Sequence, residues 1–283
     1  MAIAVVTDTD SSLSNQTASN FNIYHVPISI HFGDEIMKSN EDIDDSTLVA
    51  RIESDGVLPS TSAPAPGEFS AAFEKALQDG ADEILCLTVS GEVSATYKAA
   101  LTAKEMMGDK KITVFDTWSV SMGQGFMAIK AAQMAREDYP IEKILEEIIK
   151  VRENTHLFAS LATLKYMAMS GRVGAISAEM AKMLSIKPIL TVKDGKLDLL
   201  EKIRTQRKAW QRLIELSKIR LEGKELGDIY LIHVAAEKEI LEFEGLLREQ
   251  FPCPENLPVT GLSPGLAVHT GPGLVGLAFV THG

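Results

Sequence analysis

Hydroxyl side chains recur at two turns of the sequence, where they could hold an anion. Thr61 and Ser62 lie in a proline-rich loop, 58–67, and Ser94 lies where an apolar run, 83–89, gives way to a helical pattern. A helix start presents free backbone N–H groups and the positive end of the helix dipole. Hydroxyls beside such a start can bind a carboxylate without a buried cation. The alternative at Ser94 is a simple helix N-cap, which the spacing on its own favours.

A histidine beside glycines marks a third turn, at His269, Thr270 and Gly271. Glycine permits a tight turn that brings the backbone close to a ligand, and the histidine could reach that ligand. A histidine satisfied in the core or on the surface is the plain alternative. Residues 271–276 also fit the GxGxxG pattern of dinucleotide sites. Only seven residues follow that pattern, however, too few for the βαβ unit that such a site needs.

These residues leave two other functions open. An acyl hydrolase could use Ser62 or Ser94 with His269, although the chain has no GxSxG motif and the histidine would need an acidic partner. A nucleotide-binding regulator could use Gly123 and Gly125, which match a loose GxGxxA pattern between a predicted strand and a predicted helix. Close helix packing through small residues is the plain alternative for these two glycines.

The composition argues against several other classes of protein. A net charge of −11 disfavours nucleic acid and anionic membrane surfaces as partners. No apolar run approaches the roughly 20 residues that span a bilayer, and the first residues lack the basic start of a signal peptide. The six histidines form no pair at metal-binding spacing. We therefore expect a cytoplasmic protein that has no metal or cofactor and does not insert stably into membranes.

The elements around these turns indicate an α/β protein of two domains. Strand and helix patterns alternate in residues 1–162, which predicts a mostly parallel sheet. Residues 163–283 are typical of an α+β domain with a mixed sheet, and an Asp-Gly pair at 194–195 predicts a hairpin. Two details of the prediction are a single strand over 24–32 and a short strand around Leu266.

Basic side chains cluster after the predicted hairpin, and their role stays open. Arg204 and Arg207 belong to a run that starts at a strand end and enters a helix. Such a run is usually a solvated face. Arg172, which follows Ser170 and Gly171, has the same ambiguity.

Taken in order along the chain, these segments resemble the DegV family of bacterial lipid-binding proteins. Each motif is weak on its own, but six of them in the family's order, over essentially the whole chain, are specific. Thr9 stands where the family has serine, and Ala95 and Ser170 stand where it has glycine. The six segments are Val6-Thr7-Asp8-Thr9 with Leu13, Thr61-Ser62-Ala63-Pro64 with Gly67-Glu68-Phe69, Ser94-Ala95-Thr96-Tyr97, Ser170-Gly171-Arg172-Val173, Ile186-Lys187-Pro188-Ile189 with Asp194-Gly195, and His269-Thr270-Gly271-Pro272-Gly273.

The resemblance implies one long-chain fatty acid, such as palmitate, stearate or oleate, in a buried tunnel between the two domains. It implies that hydroxyls of the first two turns hold the carboxylate and that the histidine turn lies beside it. The residues implied to form this carboxylate site are Thr61, Ser62, Ser94, Ala95, His269, Thr270 and Gly271.

The resemblance also implies a partner. Several family members carry the acyl group for a fatty-acid kinase, which uses ATP and Mg²⁺ to phosphorylate the bound carboxylate. A chain of this kind would supply the substrate and would not itself be an enzyme. The family has an arginine after the hairpin, which Arg204 or Arg207 matches, and these two residues and Arg172 are implied to serve a polar network or a partner surface.

Overall fold

The computed structural model describes residues 2–171 and 186–283, which form three β-sheets with helices packed on them. The strands are β1 (Ile3–Asp8), β2 (Ile23–Val26), β3 (Ser29–Phe32), β4 (Glu35–Lys38), β5 (Ser60–Ser62), β6 (Glu83–Thr88), β7 (Ile112–Asp116), β8 (Thr155–Ser160), β9 (Lys187–Lys193), β10 (Lys196–Ile203), β11 (Glu225–His233), β12 (Val259–Gly261) and β13 (Val275–His282). The helices are α1 (Asn15–Phe21), α2 (Asp45–Asp55), α3 (Pro66–Gln78), α4 (Thr96–Met106), α5 (Met122–Arg136), α6 (Ile141–Asn154), α7 (Lys165–Met169), α8 (Gln206–Leu221), α9 (Glu237–Arg248) and α10 (Pro264–Thr270). None of the helices within these ranges combines the length and the apolar character needed to cross a membrane.

Four strands form a parallel sheet in the order β2-β1-β6-β7, as the alternation of strands and helices predicts. All six residues of β6 are buried, which is typical of a parallel strand covered on both faces. The chain passes from β1 to β2 and later returns to the other side of β1 at β6, so the strand order reverses between β1 and β6. Ligands of open α/β sheets bind at the carboxyl ends of strands beside such a reversal. This edge of the sheet is therefore where a ligand is expected.

Six strands form a mixed sheet in the order β10-β9-β8-β13-β11-β12, which confirms the prediction for the C-terminal half. Neighbouring strands are antiparallel except β11 and β12. Strand β8 precedes the predicted domain boundary at residue 162, yet it pairs with β9 and β13 in this sheet. The boundary itself stays a prediction.

The prediction of a single strand over 24–32 is wrong, because the chain changes sheets within it. Ile23–Val26 pairs with β1 in the parallel sheet, whereas Ser29–Phe32 pairs with β4 and β5 in a small antiparallel sheet. Pro27 lies between the two strands and has no backbone N–H to donate to a ladder. The break was therefore encoded locally by the proline.

Two other local predictions had opposite outcomes. The hairpin is confirmed, since Asp194 and Gly195 have φ values of 50° and 75° between β9 and β10, as a type I′ turn requires. The strand around Leu266 is wrong, because this residue lies in α10. Ser263 caps that helix by accepting a hydrogen bond from the Leu266 N–H, and Pro264 occupies its first position, where proline costs no hydrogen bond.

Candidate ligand-binding site

A cavity of about 360 Å³ lies at the carboxyl edge of the parallel sheet and against the six-stranded sheet. Two of its walls differ in chemistry. The polar wall is formed at the ends of β1, β5, β6 and β7 and by α10, and its polar residues are Asp10, Thr61, Ser62, Ser94, Ser121, His269 and Thr270. The apolar wall is a face of the six-stranded sheet, with Leu157, Ala159, Leu190, Leu197 and Ile232 and one polar residue, Thr191. A cavity with one polar and one apolar side suits an amphipathic ligand.

The alternation of side chains along β8 produces the apolar wall. Successive side chains of a strand point to opposite faces of the sheet. Leu157 and Ala159 line the cavity, whereas Phe158 between them packs in a separate core cluster with Trp210 and Phe243. One face of the sheet thus lines the cavity, and the other face is covered by α8 and α9.

The histidine turn lies beside the first hydroxyl turn, although 208 positions separate them. Thr61 Oγ1 and His269 Nε2 form a hydrogen bond of 3.0 Å. Thr61 lies in β5, and His269 lies in the last turn of α10. Thr270, the last residue of α10, also lines the cavity. Gly271 ends the helix with a φ of 73°, and a side chain on it would meet the ring of Tyr166.

Ser62 and Ser94 also line the cavity, and each has a local partner. Ser62 Oγ lies 2.8 Å from His31 Nε2, and Ser94 Oγ lies 2.8 Å from Thr96 Oγ1. Ser94 stands one residue before Ala95, the N-cap of α4, and its Oγ also accepts a hydrogen bond of 3.3 Å from the Thr96 N–H in the first turn of that helix, as a capping hydroxyl does. Ala95 has a φ of −77°, an ordinary conformation, so alanine is accommodated without backbone strain where the resemblance has glycine.

Residues from Asp10 to Leu274 line the cavity, so almost the whole chain contributes to it. The similarity to known proteins also extends over almost the whole chain. The model of the DegV family, described as uncharacterised proteins, matches residues 2–282. The chain belongs to the DegV family. A curated DegV domain-containing protein from Deinococcus radiodurans is 30% identical, over 98% of this chain and 98% of its own length.

Two solved DegV structures have the same fold as this chain. A DegV family protein from Thermus thermophilus, described as fatty acid binding, superimposes with a TM-score of 0.91 and 28% identity, over 99% of this chain and 100% of its own. A fatty-acid-binding DegV family protein from Streptococcus agalactiae gives a TM-score of 0.87 and 25% identity, over 100% and 99%. The α/β fold and the family predicted from the sequence are thereby confirmed.

Of the arginines that the DegV resemblance pointed to, the two within the described residues, Arg204 and Arg207, do not line the cavity. Arg204 and Arg207 are exposed, because they follow β10, an edge strand of the six-stranded sheet. Arg207 lines a surface depression with Trp210 and Leu241, between α8 and α9. Arg172 lies outside the described residues. A role for these arginines in a polar network or on a partner surface stays a prediction.

The sequence analysis of this DegV protein missed two buried residues of the polar wall, Asp10 and Ser121. Asp10 is 6% exposed, and its Oδ1 accepts a hydrogen bond from Ser263 Oγ at 2.9 Å. Burial, together with the neighbouring Asp8 carboxylate, raises the pKa of Asp10 well above its ordinary value, which favours the protonated acid. The signal in the sequence was the position of Asp10, two residues after the end of β1, at the edge where ligands bind.

Replacing Asp10 by asparagine is expected to stabilise lipid-free protein, increasingly so as the pH rises. Asparagine keeps the shape and the acceptor for Ser263 but cannot ionise. With its raised pKa, the folded wild type holds this proton more tightly than the unfolded chain. The contribution of Asp10 to stability is therefore full below its ordinary pKa of 3.8 and is lost as the pH rises through the raised pKa. We expect a gain of about 2 kcal/mol in the free energy of unfolding at about pH 9, and almost none at about pH 4, by urea denaturation.

A matched control for that substitution is Asp109→Asn, at an exposed position. This control should change the free energy of unfolding by less than about 0.5 kcal/mol at both pH values. If Asp10→Asn gave the same gain at both pH values, burial of an ionisable acid would not be the cause.

The residues considered for the two rival functions have the following neighbours among the described residues. His269 is paired with Thr61, and the serines proposed for a hydrolase, Ser62 and Ser94, have the other partners described above. Gly125 lies within α5, where a Cβ would come within 2.9 Å of the Ser11 carbonyl oxygen, as close helix packing requires.

Across residues 2–171 and 186–283, no group of three or more His, Cys, Asp or Glu side chains is placed to hold a metal.

Proposed function

We propose that this protein binds one long-chain fatty acid in the cavity, with the carboxylate at Thr61, Ser62 and Ser94 and the chain along the apolar wall. The observation that carries this proposal is a cavity with hydroxyls and a histidine on one side and mainly aliphatic side chains on the other. Two solved relatives with 25% identity or more are described as fatty acid binding. The activity proposed is binding, without bond chemistry by this chain.

The free energy available supports a long acyl chain as the ligand. Burial of each methylene yields about 0.8 kcal/mol, so a palmitoyl chain could gain about 10 kcal/mol before the costs of binding. Neutral hydroxyls and backbone N–H groups are sufficient to orient the head, because a carboxylate accepts hydrogen bonds from both. The carboxyl end fixes the orientation of the ligand, and the chain provides most of the affinity.

A surface depression next to the cavity offers a partner protein a route to the carboxyl end of the bound fatty acid. This depression shares Thr61 and His269 with the cavity and is also lined by Val57 and Met169, which are 57% and 59% exposed. We propose that a cytoplasmic fatty-acid kinase docks here and phosphorylates the bound carboxylate with ATP. Purified kinase, palmitate, ATP and Mg²⁺ should then form acyl-phosphate only when this protein is added. Equal acyl-phosphate formation without it would rule out the carrier role and leave fatty-acid binding intact.

The ligand is tested by purifying the protein without detergent, denaturing it and identifying the released lipids by mass spectrometry. We expect one fatty acid per chain. If no lipid is released, and if the protein also fails to take up added palmitate or oleate, the proposed function is wrong. Retention on immobilised ATP or NAD would then favour the nucleotide alternative at Gly123 and Gly125.

A further inference from the structure

Asp10 and Ser121 form a second polar group in the cavity, in addition to the residues proposed for the carboxylate. Both line the cavity, and they are 6% and 1% exposed. They are adjacent, because the Ser121 N–H donates a hydrogen bond of 2.8 Å to the Asp10 carbonyl oxygen. We call these two residues the Asp10–Ser121 pair.

The hydroxyl of Ser121 lacks the partner that its position in the fold would normally give it. Ser121 is the N-cap residue of the 15-residue helix α5, where a serine oxygen usually accepts a hydrogen bond from the first turn. No such cap bond forms here, and Ser121 Oγ is buried without a hydrogen-bond partner among the residues that the structure describes. Ser121, a residue that lines the cavity, therefore keeps a hydroxyl with unused hydrogen-bonding capacity.

The carboxyl group of Asp10 is also only partly used. Within the described ranges, Ser263 is the one residue that hydrogen-bonds to this carboxyl, and it does so at Oδ1. Burial favours the neutral acid, whose O–H is a donor that needs an acceptor. The Asp10–Ser121 pair can thus both donate and accept hydrogen bonds inside the cavity.

The charges around the pair favour a neutral ligand group. An anionic group would meet the neighbouring Asp8 carboxylate, the charge that also helps to raise the pKa of Asp10. A cation would face the positive end of the α5 dipole. A hydroxyl is neutral, and it donates and accepts at once, so it can satisfy Ser121 and Asp10 together. An unsubstituted acyl chain would exclude water from the pair and leave both groups unpaired, which disfavours binding.

We propose that the ligand is a hydroxy fatty acid, and that the Asp10–Ser121 pair binds a hydroxyl of its acyl chain. This inference rests on the proposed function, since it requires a fatty acid in the cavity. The hydroxyl would lie near the carboxyl end of the ligand. Asp10 Oδ1 packs against Gly265 in the first turn of α10, and His269 is one helical turn further along the same helix.

The test compares the affinities of palmitate with those of its α-hydroxy and β-hydroxy derivatives. For wild-type protein we expect at least one hydroxy acid to bind about tenfold more tightly than palmitate. Ser121→Ala and Asp10→Ala should each reduce this ratio to about one. Ser14→Ala is the matched control, because Ser14 is an N-cap serine that does bond to its helix, α1, and it should keep the ratio. Thermal unfolding followed by circular dichroism checks that each variant is folded, and Ser121→Gly replaces Ser121→Ala if the alanine variant is not.

Three outcomes would overturn the inference, and they are distinguishable. If wild-type protein binds palmitate as tightly as both hydroxy acids, the hydroxyl subsite is wrong while fatty-acid binding stands. If Asp10→Ala weakens palmitate and the hydroxy acids by the same factor, Asp10 acts on the carboxylate instead. If none of the three acids binds, the proposed function fails together with the inference.

Discussion

Replacing Thr61 and Ser94 together by alanine is expected to weaken palmitate binding by at least about 100-fold. In the proposed complex each hydroxyl donates a hydrogen bond to the carboxylate, and bonds to charged groups contribute about 1.5–3 kcal/mol each. Thr61→Ala also removes the hydroxyl that lies 3.0 Å from His269 Nε2, which should disturb the histidine side of the site. The affinity is measured by displacement of a fluorescent fatty acid from delipidated protein.

A matched control for the double variant removes two hydroxyls of the same kinds from exposed positions. Thr102 and Ser54 serve this purpose, since their hydroxyls donate to backbone carbonyls of their own helices. The control should bind palmitate as the wild type does. Wild-type affinity in a folded Thr61 and Ser94 double variant would show that these hydroxyls do not hold the carboxylate, whichever lipid the protein carries.

Features with a local cause could be predicted from the sequence. The hairpin at 194–195 forms where an Asp-Gly pair tolerates positive φ, and the buried strand β6 forms from a continuous apolar run. The two strand predictions that failed also had local causes. Pro27 and the Ser263–Pro264 pair are local signals for a strand break and a helix start, and both outweigh the apolar residues around them.

The assembly of the site depends on long-range contacts that spacing along the chain does not encode. The hydrogen bond between Thr61 and His269 forms because β5 and α10, from opposite ends of the chain, meet at one edge of the parallel sheet. The family resemblance, rather than any periodicity, placed these two residues in one site. Asp10 was missed because an acid after a strand is normally solvated, whereas here α10 and the start of α5 pack around it.

Replacing Ala159 by phenylalanine is expected to lower the affinity for palmitate about 100-fold and the affinity for octanoate much less. Ala159 lies in the apolar wall, on the face of β8 that lines the cavity, so a phenyl ring there would occupy the path proposed for the acyl chain. Excluding about four methylenes from the wall costs about 3 kcal/mol, which corresponds to the expected loss. A shorter chain that ends before the ring keeps its contacts. Both affinities are measured by displacement of a fluorescent fatty acid.

The stability of this variant separates a blocked cavity from a damaged fold. An apolar ring that enters an existing cavity need not displace its neighbours, whereas overpacking of a filled core costs about 1–3 kcal/mol. Ala71→Phe, on the exposed face of α3, introduces the same ring outside the cavity and should leave both affinities at wild-type values. If a folded Ala159→Phe variant bound palmitate as tightly as the wild type, the acyl chain would not run along β8. If both acids were weakened equally, the ring would be disturbing the carboxyl end, and the polar and apolar walls would not divide the ligand as proposed.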